Sequence, residues 1–153
     1  MLELTTIDIL IRLSIAVALG GLVGIERTLA GKSAGMRTYA LAGMGSALFA
    51  LISLLMGEKL TGTVAFNPIF LGPAIISGIG FIGAGLVFHK ESKVSGLTSA
   101  AGLWVSAGVG MACGFGYYVP AAIATGLTLI IFTIFWFLEK GLKKLSYNNE
   151  ERD

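Results

Sequence analysis

The chain has one cysteine, one histidine and three prolines in 153 residues, and only 13% of its residues are charged. Each scarcity excludes something. Cys113 permits no intrachain disulfide. With no CxxC pair and no His/Cys cluster, neither a zinc nor an iron–sulfur site is indicated, and Cys113, set in an apolar run, reads as a small packing residue. One histidine, His89, and few acidic residues near the apolar runs (Asp8, Glu26, Glu58 and Glu91) leave little for acid–base or nucleophilic chemistry. His89 closes an apolar segment beside Lys90 and reads as an interfacial residue, with ligand or proton shuttle as the alternative. There is no P-loop and no HExxH; "GIGFIGAG" lies inside an apolar segment with no strand before it, so it is not a dinucleotide fingerprint. The sequence is read as non-enzymatic. A net charge of +2, with basic residues beside apolar segments, gives no reason to expect a nucleic-acid partner. The charged share is about half that of a soluble domain, too little to cover a soluble surface.

What is present is apolar. Hydrophobic residues make up 55% of the chain and glycine contributes 22 positions. Five stretches have the length that crosses a bilayer, at about 7–25, 38–56, 69–88, 97–115 and 120–138. Backbone groups in lipid must be satisfied within the segment, which favours helices, and the alternation of a β-barrel strand is missing. The expected fold is all-α and polytopic, with about five transmembrane helices. Asn67–Pro68 reads as a helix start, Pro120 as a first helical residue, and Ser95 as a cap for the fourth span. Pro73 falls in the first turns of the third span, and Gly57 and Gly116 are placed to end helices. Glu3 and Asp8 in the leading region argue against a signal peptide. Arg27, Lys32, Arg37, Lys90, Lys93, Lys140, Lys143, Lys144 and Arg152 all fall on one face, against Lys59 and Arg12 elsewhere. The excess predicts an external amino terminus and a cytoplasmic carboxyl terminus. Trp136 and Tyr117–Tyr118 mark the two interfaces, and residues 139–153 form a short charged tail.

Helices in lipid associate by close backbone approach through small residues. Gly102, Ser106, Gly110 and Gly114 recur every four residues in the fourth span, as do Ala16, Gly20 and Gly24 in the first. Gly78, Gly80, Gly83 and Gly85 of the third span face more than one side. They fit a tightly packed central helix, a locally opened helix lining a site, or a dimer seam.

Charges within such a chain need a reason. Asp8 and Arg12 lie four residues apart on one helical face, as an interfacial pair or a polar functional site. In "GGLVGIERTLAGKSAGMRT" the first span ends in Glu26 and Arg27, and Arg37 and Thr38 open the second. These are either a solvated helix end that binds lipid headgroups or a converging pocket, joined by Thr98 and Ser99, that recognises an anion or ties two helices together. Glu26 is the best single candidate for a metal; a water-rich Mg²⁺ site needs only one or two carboxylates.

The order "GGLVGIERTLAGKSAGMRTYALAGMGSALF", "ISGIGFIGAGLVF" and "VSGLTSAAGLWVSAGVGMACG" resembles the MgtC/SapB family of bacterial inner-membrane proteins, over nearly all of 7–138. Its combined marks are Gly24 with Glu26–Arg27, Gly35 with Arg37–Thr38, the four glycines of span three, and Gly96–Leu97–Thr98 with Ala100, Ala101 and Trp104; Asp8 and Arg12 match as well. The resemblance implies a membrane domain over 1–138 and a short form without the soluble domain of longer members. It implies a role in growth at low Mg²⁺ or under stress; taken with the small-residue faces and the polar cluster, the expected action is through membrane-protein partners or a homo-oligomer, a dimer first, while the glycine-dense third span and the Asp8–Arg12 pair give a transporter or channel for Mg²⁺ or another small solute as the alternative. No resident cofactor is implied.

Overall fold

The computed structural model describes residues 4–59, 71–90 and 93–142. Helix α1 spans Thr6–Leu29, α2 Met36–Lys59, α3 Leu71–Leu86 and α4 Leu97–Gly114. Helix α5 runs from Tyr118–Ile130 through a π-helical turn at Ile131–Phe135 and on to Leu142. Among the described residues α1, α2, α4 and α5 are long and apolar enough to cross a membrane, and α3 is apolar but 16 residues long. The chain is an all-α, multi-pass membrane protein of four to five long apolar helices.

Helix ends depart from the sequence reading in instructive ways. Helix α1 ends in a Schellman motif: Gly31 takes φ +64°, Lys32 N–H donates to Arg27 C=O and Gly31 N–H to Thr28 C=O. The same motif ends α4, with Gly116 at φ +86°, Tyr117 N–H on Ala112 C=O and Gly116 N–H on Cys113 C=O. Gly116 thus ends a helix as expected. Gly57 does not, because it lies inside α2. Ser95 is not the cap of α4: it belongs to β2, and the cap is Gly96 at φ +89°, with no side-chain hydrogen bond. Pro120 is the third helical residue of α5 rather than the first, where its missing N–H still costs no intrahelical bond. Asn67–Pro68 lies outside the described residues.

The sequence reading held no strands, yet the link from α3 to α4 forms a hairpin of β1 (Phe88–Lys90) and β2 (Lys93–Ser95), with His89 opposite Val94.

The core sits where α1, α2 and α4 pack together; α3 lies on α4 with a lighter contact to α2, and α5 lies on α4 and α1. Small residues set these distances. Ala16, Gly20 and Gly24 of α1 are buried, as are Gly102, Ser106, Gly110 and Gly114 of α4. A Cβ at Gly20 would stand 2.7 Å from Tyr39 C=O, at Gly24 2.5 Å from Met36 Cα, and at Gly114 2.5 Å from Ala47 C=O. The α4 groove is therefore filled by α2 of the same chain. Helix α3 behaves differently: a Cβ at Gly83 would meet Ala100 and one at Gly72 the Met111 sulfur, both at ordinary contact distance, while Gly78, Gly80 and Gly85 have open space beside them. Cys113 is a buried free thiol.

Candidate functional site

Arg27 is the centre of the most polar part of the bundle. Its residue is 3% exposed. Nε and Nη2 both donate to the Glu26 carboxylate, the Nη2–Oε1 bond measuring 2.7 Å. The face of the guanidinium lies on Phe132, with Cζ 3.6 Å from the ring centroid. A planar cation suits both contacts at once, since its edge carries the donors and its face carries none. Phe132 belongs to the π turn of α5, and such turns recur at functional sites.

Beneath this pair Tyr39 ties α2 to α4. It is fully buried. Its hydroxyl donates to Ser99 C=O at 2.9 Å, and its own C=O accepts from Ser106 Oγ at 2.9 Å. Gly102 makes the room: a Cβ there would lie 2.5 Å from Phe132 Cζ and 2.7 Å from Tyr39 Oη.

Beside Arg27 opens a cavity of about 590 Å³. The loop after α1 contributes Gly31, Lys32 and Ser33, the end of β2 contributes Ser95, the cap and first turn of α4 contribute Gly96, Thr98 and Ser99, and α5 contributes Ile131, Phe132, Phe135, Trp136 and Glu139. Arg27, Thr98 and Ser99 thus meet, with Glu26 held against Arg27. Arg37 and Thr38 do not join them. Tyr39 points inward to α4, and neighbouring helical residues diverge by about 100°, so Arg37 is left exposed. Thr38 lies with Leu41 and Gly45 on the side facing α3, where it lines an apolar cavity of about 640 Å³. The sequence names Lys32 as one of the basic residues on one face, not as a site residue, and does not single out Phe132 or Glu139. Lys32 is detectable in hindsight, one residue past the helix-ending Gly31; Phe132 and Glu139 are placed by the π turn, which has no comparable signal.

At the other end of the bundle Asp8 and Arg12 do not pair with each other. Thr5 and Asp8 form a capping box: Asp8 N–H donates to Thr5 Oγ1, and Asp8 Oδ2 accepts from Thr5 N–H and Oγ1. Arg12 instead donates from Nη1 to Gly114 C=O at 2.7 Å. A cation there complements the carboxyl end of α4. Its Nε is buried with no hydrogen-bond partner. Arg12→Gln is expected to remove the charge-assisted bond and lower thermal stability in detergent by about 1.5 kcal/mol; unchanged unfolding would contradict this role.

Two carboxylates, two cations and several hydroxyls at one end of a helical bundle can hold a small polar ligand or clamp helices. A family model described as the MgtC family matches residues 13–141. YhiD of Escherichia coli strain K12 is 36% identical over 145 residues, covering 94% of this chain and 67% of YhiD. The MgtC proteins of Brucella abortus and Salmonella typhimurium are 43% and 40% identical, over 72% and 78% of this chain. The chain spans 44% and 49% of the length of those two relatives. No solved structure matches it. On the match from residue 13 to residue 141, and on 36% identity to YhiD over 94% of the chain, the chain belongs to the MgtC family.

Proposed function

We propose that this protein is a multi-pass protein of the bacterial inner membrane, with its amino terminus outside and its carboxyl-terminal end cytoplasmic. It supports adaptation to low magnesium or related stress by docking other membrane proteins or a second copy of itself, not by passing an ion. The family is linked to Mg²⁺ and stress adaptation and is non-catalytic. The basic excess on the Arg27 end supports the orientation.

The observation that carries the reading is the state of Glu26. Both of its oxygens accept from Arg27, so the carboxylate best suited to a cation is already engaged. The name of YhiD offers magnesium transport as a candidate activity for that relative, and the same experiment weighs it here. The full chain in sealed vesicles is expected to pass no more Mg²⁺ than empty vesicles; a flux that Glu26→Gln abolishes would overturn the proposal. For self-association, the α4 seam is occupied within the chain, which leaves the open α3 face. Cysteine at Gly85, in a Cys113→Ser background, is expected to crosslink two copies in membranes.

A further inference from the structure

The cavity beside Arg27 carries two opposite charges that do not meet. Lys32 and Glu139 both line it, one from the loop after α1 and one from the last turns of α5, and both are exposed. Among the described residues no ion pair joins them. Arg27 cannot act as the main ligand for an anion, because its fork is taken by Glu26; as a pair the two contribute little net charge. The lining is thus close to neutral overall, with a cation from the loop after α1 and a carboxylate from α5; the Lys140 ammonium, 5.2 Å from the Trp136 ring centroid, rests on that ring rather than lining the cavity. A net anion would meet repulsion from Glu139 and a net cation from Lys32. A zwitterion of matching length satisfies both.

The rest of the lining says how such a ligand arrives. The start of α4 adds the hydroxyls of Thr98 and Ser99 and a helix amino end, which Gly96 leaves without a side-chain cap. From α5, which also carries Glu139, Phe135 and Trp136, each about half exposed (55% and 48%), form an apolar wall. Aromatic side chains so placed belong at headgroup depth.

We propose that this cavity holds the headgroup of a zwitterionic aminophospholipid. The phosphate lies toward Lys32 and the start of α4, the ammonium toward Glu139, and the first acyl carbons against Phe135 and Trp136. The proposal rests on the membrane placement given above and is independent of any protein partner.

The test is lipid retention by the purified full chain, read by native mass spectrometry with phosphatidylethanolamine, phosphatidylglycerol and inorganic phosphate as probes. The unaltered chain is expected to retain phosphatidylethanolamine over phosphatidylglycerol. Lys32→Ala is expected to weaken both about fivefold. Glu139→Gln separates the charge types: it weakens phosphatidylethanolamine to a similar degree and strengthens phosphatidylglycerol. Lys59→Ala, at the far end of α2, changes neither. Preference for phosphatidylglycerol, or retention of phosphatidylethanolamine unaffected by Glu139→Gln, would overturn the proposal. Displacement of the lipid by inorganic phosphate would also overturn it, and would assign the cavity to free phosphate. Mg²⁺ flux into vesicles would strike the non-transporting reading and leave these lipid results standing.

Discussion

Gly110→Ala is expected to destabilise the folded bundle by about 2–3 kcal/mol, while Gly108→Ala, two residues away on the same helix, leaves it unchanged or stabilises it by up to about 1 kcal/mol. The chemical change is identical; only the surroundings differ. A Cβ on Gly110 would stand 2.6 Å from the carbonyl carbon and 2.7 Å from Cα of Gly43, whereas one on Gly108 meets nothing within 4 Å. The obstructing atoms at Gly110 are backbone, so no rotamer change relieves the overlap and α2 must move as a body. It has little freedom to do so, since a Cβ on Gly43 itself would lie 3.0 Å from Ala16 C=O of α1. Three helices therefore meet at one small-residue crossing. Separating α2 from α4 there also loosens the Tyr39–Ser99 and Ser106–Tyr39 hydrogen bonds further along the same interface. Thermal unfolding in detergent checks the pair, and equal unfolding temperatures would show that this crossing does not limit stability.

The same crossing shows what the sequence makes legible. The four-residue spacing of Gly102, Ser106, Gly110 and Gly114 identifies a close-packed face without any coordinates, because small residues one helical turn apart line up. The spacing does not say which helix fills the face. Here α2 of the same chain does, so the face is not free for a second copy. Apolar run length likewise places α1, α2 and α4 to within a few residues, since lipid thickness sets it. Polar partners were less legible because local and distant contacts compete. Asp8 and Arg12 have the spacing of a pair, yet Thr5 lies nearer to Asp8 and offers a capping box, and the α4 carboxyl end takes Arg12. The Thr5–Asp8 spacing was itself a cap signal in the sequence. Adjacent residues mislead in another way: Arg37 and Thr38 sit together in the chain but on different sides of α2, and only the inward turn of Tyr39 reveals the phase. The π turn that brings Phe132 onto Arg27 shifts α5 out of the regular 3.6-residue period, and no periodic reading anticipates it.

That contact makes Arg27 the most sensitive polar position in the bundle. Arg27→Ala is expected to cost about 3 kcal/mol, because it leaves the Glu26 carboxylate without its donors and Phe132 without its cation. Glu26→Gln is expected to cost a similar amount, about 3 kcal/mol, because Arg27 then keeps a buried charge with no counter-ion. The double replacement Glu26→Gln with Arg27→Met removes both charges and is expected to recover about 2 kcal/mol relative to the sum of the single changes. Arg27→Lys distinguishes charge from shape: it keeps the cation but loses the planar fork and the flat face on Phe132, so it falls between wild type and Arg27→Ala. The cycle also bears on function. If Glu26 bound Mg²⁺ in the resting protein, millimolar Mg²⁺ would raise the Tm of the unaltered chain and not that of Glu26→Gln. With the carboxylate already held by Arg27, the expected result is no Mg²⁺-dependent shift in either, and the full coupling between the two residues in the presence of a chelator.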